Sequence, residues 1–454
     1  MKRKHKAMSG RRNLMLVALL VIVLGGLAGA VRWLNTAPPL IMPEGREEIA
    51  AKRQSPDNGY PLLEEAVKLF PPKPSRGAMP HPVQPNLQIP YTPESGSLSE
   101  SLDVQRPLGD PEFTKYIHAC DPLIAKVREA MARPFCLPLS PPTYFENGSA
   151  DSVFLLTFVF AARGESLARY EGAPAEGLPY YLDALRFIRI LANSDDASRS
   201  IFQANARITI LSMMRRLARE TLSPLEIEAF QRELRELGPP FPDRKAMLEN
   251  AWRIHDDTLL QPAADYMRRF PESLFFRYSL WRLARSSRRV IEQRQFWHDL
   301  AQRCQSDFLL WIAREHPRFT HNPWSGWFDP AGRLMFLMAR VCGDQADYQA
   351  TRIALALERF NKEKGAYPES LAELLPAYIE ELPQDPISCQ PFGYQRKDPA
   401  YLLYSPGTDA KDNGGTPANP NHGSYFDYEL ISDIKEGVDQ VFVAPPGGPA
   451  PSHL

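Results

Sequence analysis

The densest run of chemically capable side chains lies at 268–297. Arg268, Arg269, Arg277, Arg282, Arg285, Arg288, Arg289 and Arg294 interleave there with Phe270, Phe275, Phe276, Tyr278, Trp281 and Trp297. Guanidinium forks pair with carboxylates and phosphates, and amphipathic basic-aromatic helices settle on lipid headgroups. An anionic envelope polymer gripped by Arg282, Arg285, Arg288 and Arg289 is the chemical reading. The structural reading is a helix with an aromatic core face and a solvated basic face, diluted by Glu272 and Glu292. His255-Asp256-Asp257 and His298-Asp299 each set a nitrogen ligand beside a carboxylate, without the further ligands that a metal centre needs around them. They read as polar positions on helix faces. His316 and His321 flank Pro317, with no zincin motif near them. No nucleophile elbow, phosphate loop or dinucleotide fingerprint occurs, so the sequence nominates no catalytic residue.

These side chains must be carried by something, and the N-terminus says where. Residues 1–12 form a basic tail holding Lys2, Arg3, Lys4, Lys6, Arg11 and Arg12. An apolar run follows over 13–34, and about 20 such residues span a bilayer. Basic flanks stay in the cytoplasm, so the reading is a single-pass inner-membrane signal-anchor with the bulk of the chain outside. The alternative is a secreted protein cleaved near Ala30, after the small residues Ala28-Gly29-Ala30. The membrane, through 13–34, is thus one expected partner. Nucleic acid is not, because the net charge is −1.

Residues 35–111 read as a Pro-rich linker with a short helix at 60–70. The pattern then turns helical over 112–348. Helices are expected from Asp110–Pro111 to Ala132, from Asp151, over 178–193, 196–220 and 223–237, then at 242–267, 272–305 and 331–343. Such helices with short connectors predict an all-helical extracytoplasmic domain of stacked hairpins. The five cysteines, Cys120, Cys136, Cys304, Cys342 and Cys389, show no CxxC spacing. They read as isolated buried thiols, with a Cys120–Cys136 bridge as the alternative.

Over 349–443 the pattern changes. A helix is expected at 349–364, with Ile353, Leu357 and Phe360 on its apolar face and Arg352, Glu358, Lys362 and Glu363 on the rest. Gly365 ends it. A second helix at 369–380, an irregular Pro-rich segment at 382–391, strands at 392–396 and 401–405 and a last strand at 438–443 follow. The helix at 331–364 joins this module to the domain before it, with a break expected at Gly343. Residues 444–454 read as a disordered tail.

This order resembles the C-terminal globular domain of the major pseudopilins of type II secretion systems, over about a fifth of the chain. The matching residues are Arg352, the helix end Ala354 to Phe360, Gly365-Ala-Tyr-Pro368, the helix at 369–377, Leu382-Pro-Gln-Asp-Pro386, Tyr404-Ser-Pro-Gly407, Asp409 and Asp412-Asn-Gly-Gly415. The resemblance implies a small α+β module with a short antiparallel sheet. It also implies a calcium loop with ligands Ser405, Asp409, Asp412 and a later carboxylate, Asp427 or Asp433. Calcium takes six to eight oxygens from flexible acidic loops. The same residues are ordinary turn formers. A prepilin processing motif is missing, so a polymerising pilin is not expected. The helical part resembles uncharacterised bacterial membrane-anchored proteins that end in such a module. The expectation is therefore a mainly α protein that works as an envelope scaffold or interaction protein, with other envelope proteins as partners. An envelope enzyme with a site between helical domain and module is the alternative.

Overall fold

The computed structural model describes residues 51, 54–71, 111–134, 149–193, 200–239, 299, 302–307, 330–416 and 439–443. Among them the chain is mainly helical, with a small three-stranded antiparallel sheet near its C-terminus.

Helix α1 (Tyr60–Val67) buries Leu62, Leu63 and Ala66 on one face. The single helix expected up to Ala132 is two, α2 (Pro111–Ala119) and α3 (Asp121–Met131). Pro122 explains the break, because it has no N–H to give to the preceding turn. The second helix starts afresh, with Ile124 N–H on Cys120 O at 2.9 Å. Helix α4 (Ser149–Glu165) passes directly into a π-helical turn, Ser166–Tyr170. Helix α5 (Pro174–Asn193) returns against it. The two meet at glycines: a Cβ on Gly177 would stand 2.5 Å from Gly164 O, so no other residue fits that crossing.

Helices α6 (Ser200–Glu220) and α7 (Pro224–Leu237) form the next hairpin. Ser223 ends the connector with a capping box: its hydroxyl accepts from Glu226 N–H at 3.4 Å, and Glu226 Oε2 accepts from Ser223 N–H at 2.7 Å. Such caps are worth about 1 kcal/mol. Ile117, Ile124, Phe160, Phe187, Met214 and Phe230, among others, share one core across these helices. Of the helix expected over 272–305, Asp299 is helical and Gln302 and Arg303 lie in a turn, while 272–298, 300 and 301 lie outside the described residues.

Helix α8 (Pro330–Lys364) is one 35-residue element. The break expected at Gly343 is absent, since a lone glycine costs a helix only about 1 kcal/mol and the packed flanks carry it through. Gly365 stops it at φ 80°. Tyr348 and Leu355 enter the first core, whereas Ala346, Ala350, Ile353, Ala354 and Leu357 build a second. That second core is the module's. Strands β1 (Gly393–Lys397), β2 (Ala400–Ser405) and β3 (Gln440–Val443) form its sheet, in the order β1-β2-β3. The β1–β2 hairpin pairs Gly393 with Tyr404 and Lys397 with Ala400, as expected from the 397–400 connection. Between Leu403 and Tyr404 the β2–β3 register slips, which lets Phe442 and Val443 both enter the core.

The helix expected at 369–380 is instead a single 3-10 turn, Leu371–Leu374. Leu375 precedes a proline and takes an extended conformation, φ −86° and ψ 145°. Crowding by the Pro376 ring disfavours the helical alternative at that position.

No helix among the described residues is long and apolar enough to cross a membrane. The span expected at 13–34, the helix at 242–267 and the tail at 444–454 lie outside the described residues.

Candidate functional site

Among the described residues, a run of charge pairs, most of their side chains buried, lies where α6 meets α8. Arg207 pairs with Asp344, Arg215 Nη1 reaches Asp347 Oδ1 at 2.9 Å, and Arg219 Nε reaches Glu358 Oε1 at 3.1 Å. Both series rise together, so the two helices lie parallel. Arg215 Nη1 also donates to Thr351 Oγ1 at 2.6 Å. A buried unpaired charge costs several kcal/mol, so each partner requires the other. The pairs therefore fix the register of α8 on the helical body.

Glu358 closes the module end of this seam. It is 1 % exposed. Tyr367 donates to its Oε2 at 2.9 Å and Tyr401 to its Oε1 at 3.1 Å. Tyr367 comes from the Gly-Ala-Tyr-Pro stretch that follows α8, and Tyr401 from β2. One carboxylate thus ties the helical body, the long helix, the turn after it and the sheet. The guanidinium of Arg219 also lies 5.5 Å from the Tyr401 ring centre, within cation–π reach. Burial alone would lower the Arg219 pKa, but Tyr401 and Glu358 beside it raise it. Burial first, then the Glu358 charge, pushes Tyr367 and Tyr401 well above the usual phenol range. Such groups stay in one protonation state at neutral pH. They suit holding rather than proton transfer, because every oxygen of Glu358 already faces a donor.

A second fastening lies at 302–307. Cys304 and Cys389 form a disulfide, with Cα atoms 5.6 Å apart. Gln305 N–H donates to Pro386 O at 3.2 Å and Ser306 N–H to Ile387 O at 2.8 Å. The expectation of isolated thiols is corrected here, because a bridge across 85 residues leaves no local spacing to read. Cys120 and Cys342 are buried and outside any disulfide. Burial, then the Asp121 charge, pushes the Cys120 thiol up to about 12. The loop under the bridge is organised by Asp385. Its Oδ1 accepts from Ile387 N–H at 3.1 Å, and its Oδ2 from Ser388 N–H at 3.0 Å and from the hydroxyls of Ser388 and Ser405. Burial raises the Asp385 carboxyl above the usual range despite these donors.

The expected calcium ligands fall in two groups. Ser405 is buried, with its hydroxyl on Asp385. Asp409 Oδ1 accepts from Lys411 N–H at 3.1 Å. Asp412 Oδ1 accepts from Tyr404 OH and Gly414 N–H, each at 2.8 Å. Asp427 and Asp433 lie outside the described residues. Among the described residues no three acidic, His or Cys side chains converge as a metal site. Asp439 is the carboxylate that sequence reasoning missed. It is 1 % exposed and accepts from the N–H groups of Asn413, Gly415 and Thr416, at 3.1, 2.7 and 3.2 Å. Burial, then the nearby Asp412 charge, raises its pKa against those amide bonds. The loop is thus gathered around an internal carboxylate.

Arg282, Arg285, Arg288 and Arg289 lie outside the described residues, as do His255, Asp256, Asp257, His298, His316 and His321. Glu358 was expected among the polar positions of its helix and is instead buried. The available signal was its setting, a lone acid among Ala354, Leu355, Leu357 and Phe360. The Arg partners on α6 carried no comparable signal, because each pairs with an acid more than 130 residues further along the chain.

Compared with known proteins, the chain matches no family model, and neither curated proteins nor solved structures give a significant match.

Proposed function

We propose that the protein is a membrane-anchored extracytoplasmic scaffold or interaction protein of a bacterial cell envelope. In this reading the segment 13–34 holds it in the inner membrane, and the pseudopilin-like module docks it to a type II secretion or pilus-like assembly without itself being processed as a pilin. The observation that carries the reading is the double fastening of the module. The half-buried Arg219 on Glu358 and Tyr401 fixes it on the helical body, and the Cys304–Cys389 bridge ties the 302–307 segment to the module's own loop. A rigid display surface is what a docking protein needs, since preorganisation reduces the entropic cost of binding. The disulfide also favours an oxidising compartment, where such bridges persist.

Calcium is the ion proposed for the loop at Ser405, Asp409 and Asp412, completed by Asp427 or Asp433. Melting the full-length protein with calcium and with chelator tests it: a higher midpoint with calcium supports the site, and equal midpoints remove it.

The scaffold reading is tested by in-cell crosslinking and affinity purification of the full-length protein from its own membranes. Recovery of secretion-assembly or pilin components is the expected result. Recovery of no stoichiometric partner overturns it.

A further inference from the structure

Helices α3, α5 and α7 leave an open groove of about 620 Å³ toward their C-terminal ends. That volume lies in the range of ligand-sized sites, roughly 300–1,000 Å³. Met131, Ile190 and Leu237 give it an apolar floor, and Arg128, Arg186 and Arg189 stand around it. Asp183 is shared between two of them: Arg128 Nε donates to one oxygen and Arg186 Nη1 to the other, each at 2.8 Å. Arg128 is further held 4.7 Å from the Tyr180 ring centre. Arg189 Nη1 donates to Leu237 O at the end of α7, where the helix dipole favours a cation. The lining therefore carries three guanidiniums against two carboxylates, Asp183 and the exposed Glu236. One positive charge is uncompensated. The side chains of Arg128 and Arg186 are 41 % and 42 % exposed, so their remaining N–H groups can reach a ligand.

We infer that this groove binds an acidic peptide segment of a partner protein. One carboxylate of the segment meets the Arg128–Arg186 forks, and an apolar neighbour covers Met131, Ile190 and Leu237. An inorganic anion would leave that floor wet, and an uncharged apolar segment would leave the surplus cation unmatched. Charge-assisted Arg–carboxylate bonds are about twice as strong as neutral ones, so the carboxylate decides affinity. The inference does not depend on where the chain resides or on the module.

The test uses full-length protein in detergent and a fluorescein-labelled Leu-Glu-Leu-Glu-Leu peptide, followed by anisotropy. Saturable binding is expected, weakened at least ~10-fold when Gln replaces Glu in the peptide and weakened again by added salt. Arg186→Gln should weaken it similarly. That variant leaves Asp183 its Arg128 partner, so the helices stay folded. Met131→Glu, which sets a like charge on the floor, serves as a second variant. Equal binding of the Glu and Gln peptides, unchanged affinity in both variants, displacement by inorganic phosphate as effective as by unlabelled peptide, or no saturable binding would each overturn the inference.

Discussion

Arg219 and Glu358 lie 139 residues apart in sequence, yet Nε and Oε1 are 3.1 Å apart at the point where helical body and module meet. Glu358→Ala would leave Arg219, Tyr367 and Tyr401 without their shared acceptor. The expected loss is about 2–4 kcal/mol, less than for a fully buried pair because Arg219 can turn to water. Glu358→Gln keeps one acceptor and should cost about half as much. Urea unfolding midpoints at constant slope measure both.

The Arg215–Asp347 pair is more deeply buried, with side chains 7 % and 4 % exposed. Removing either partner alone should cost about 3–5 kcal/mol, whereas Arg215→Met with Asp347→Leu should come near neutral. A double-mutant cycle reads this directly. Additive losses would mean that the pair's role is packing alone.

Peptide mapping without reductant should recover Cys304 linked to Cys389. Cys389→Ala should lower stability by about 2–4 kcal/mol, through the freedom regained by the unfolded chain. In the same experiment Cys120, fully buried with its thiol at about 12, should resist alkylation until the protein unfolds.

Asp385 gives a pH dependence with a defined sign. Burial raises its folded pKa above the usual carboxylate value. The folded protein then binds more protons than the unfolded chain between the two values. This contribution is complete below the ordinary carboxylate pKa and is lost as pH rises through the raised one. Unfolding midpoints from about pH 4 upward should therefore fall less steeply in Asp385→Asn than in the parent protein.

Local signals were legible wherever one residue decides the backbone. Ser223-Pro224 announced α7, Gly365 stopped α8, and the tyrosine-rich runs around 397–400 gave the hairpin. Pro122 and Pro376 were equally visible but were outweighed by apolar periodicity, which does not register a missing N–H or a crowded neighbour. The buried pairs were not legible. Arg207, Arg215 and Arg219 have the look of solvated helix positions, and only the approach of Asp344, Asp347 and Glu358 makes the first two interior and half-covers the third. The Cys304–Cys389 bridge and the Asp439 anchor share that character: their partners are defined by the fold, not by spacing. Of the expected calcium set, only Ser405, Asp409 and Asp412 lie among the described residues, and the hydrogen-bond partners that hold them were not legible.

The parallel seating of α6 and α8 sets an order of assembly. At 1.5 Å per residue, the 35 residues of α8 form a rod about 52 Å long, and its seat on α6 is complete a hundred residues before the rod is made. During synthesis or export Arg207, Arg215 and Arg219 thus emerge as three cations on a half-covered helix, without their acids. The earlier helices can gather, but the seam stays open until residue 358 arrives. A chain truncated before 344 should therefore show protease-sensitive α6, and cleavage there should cease once the acids are present.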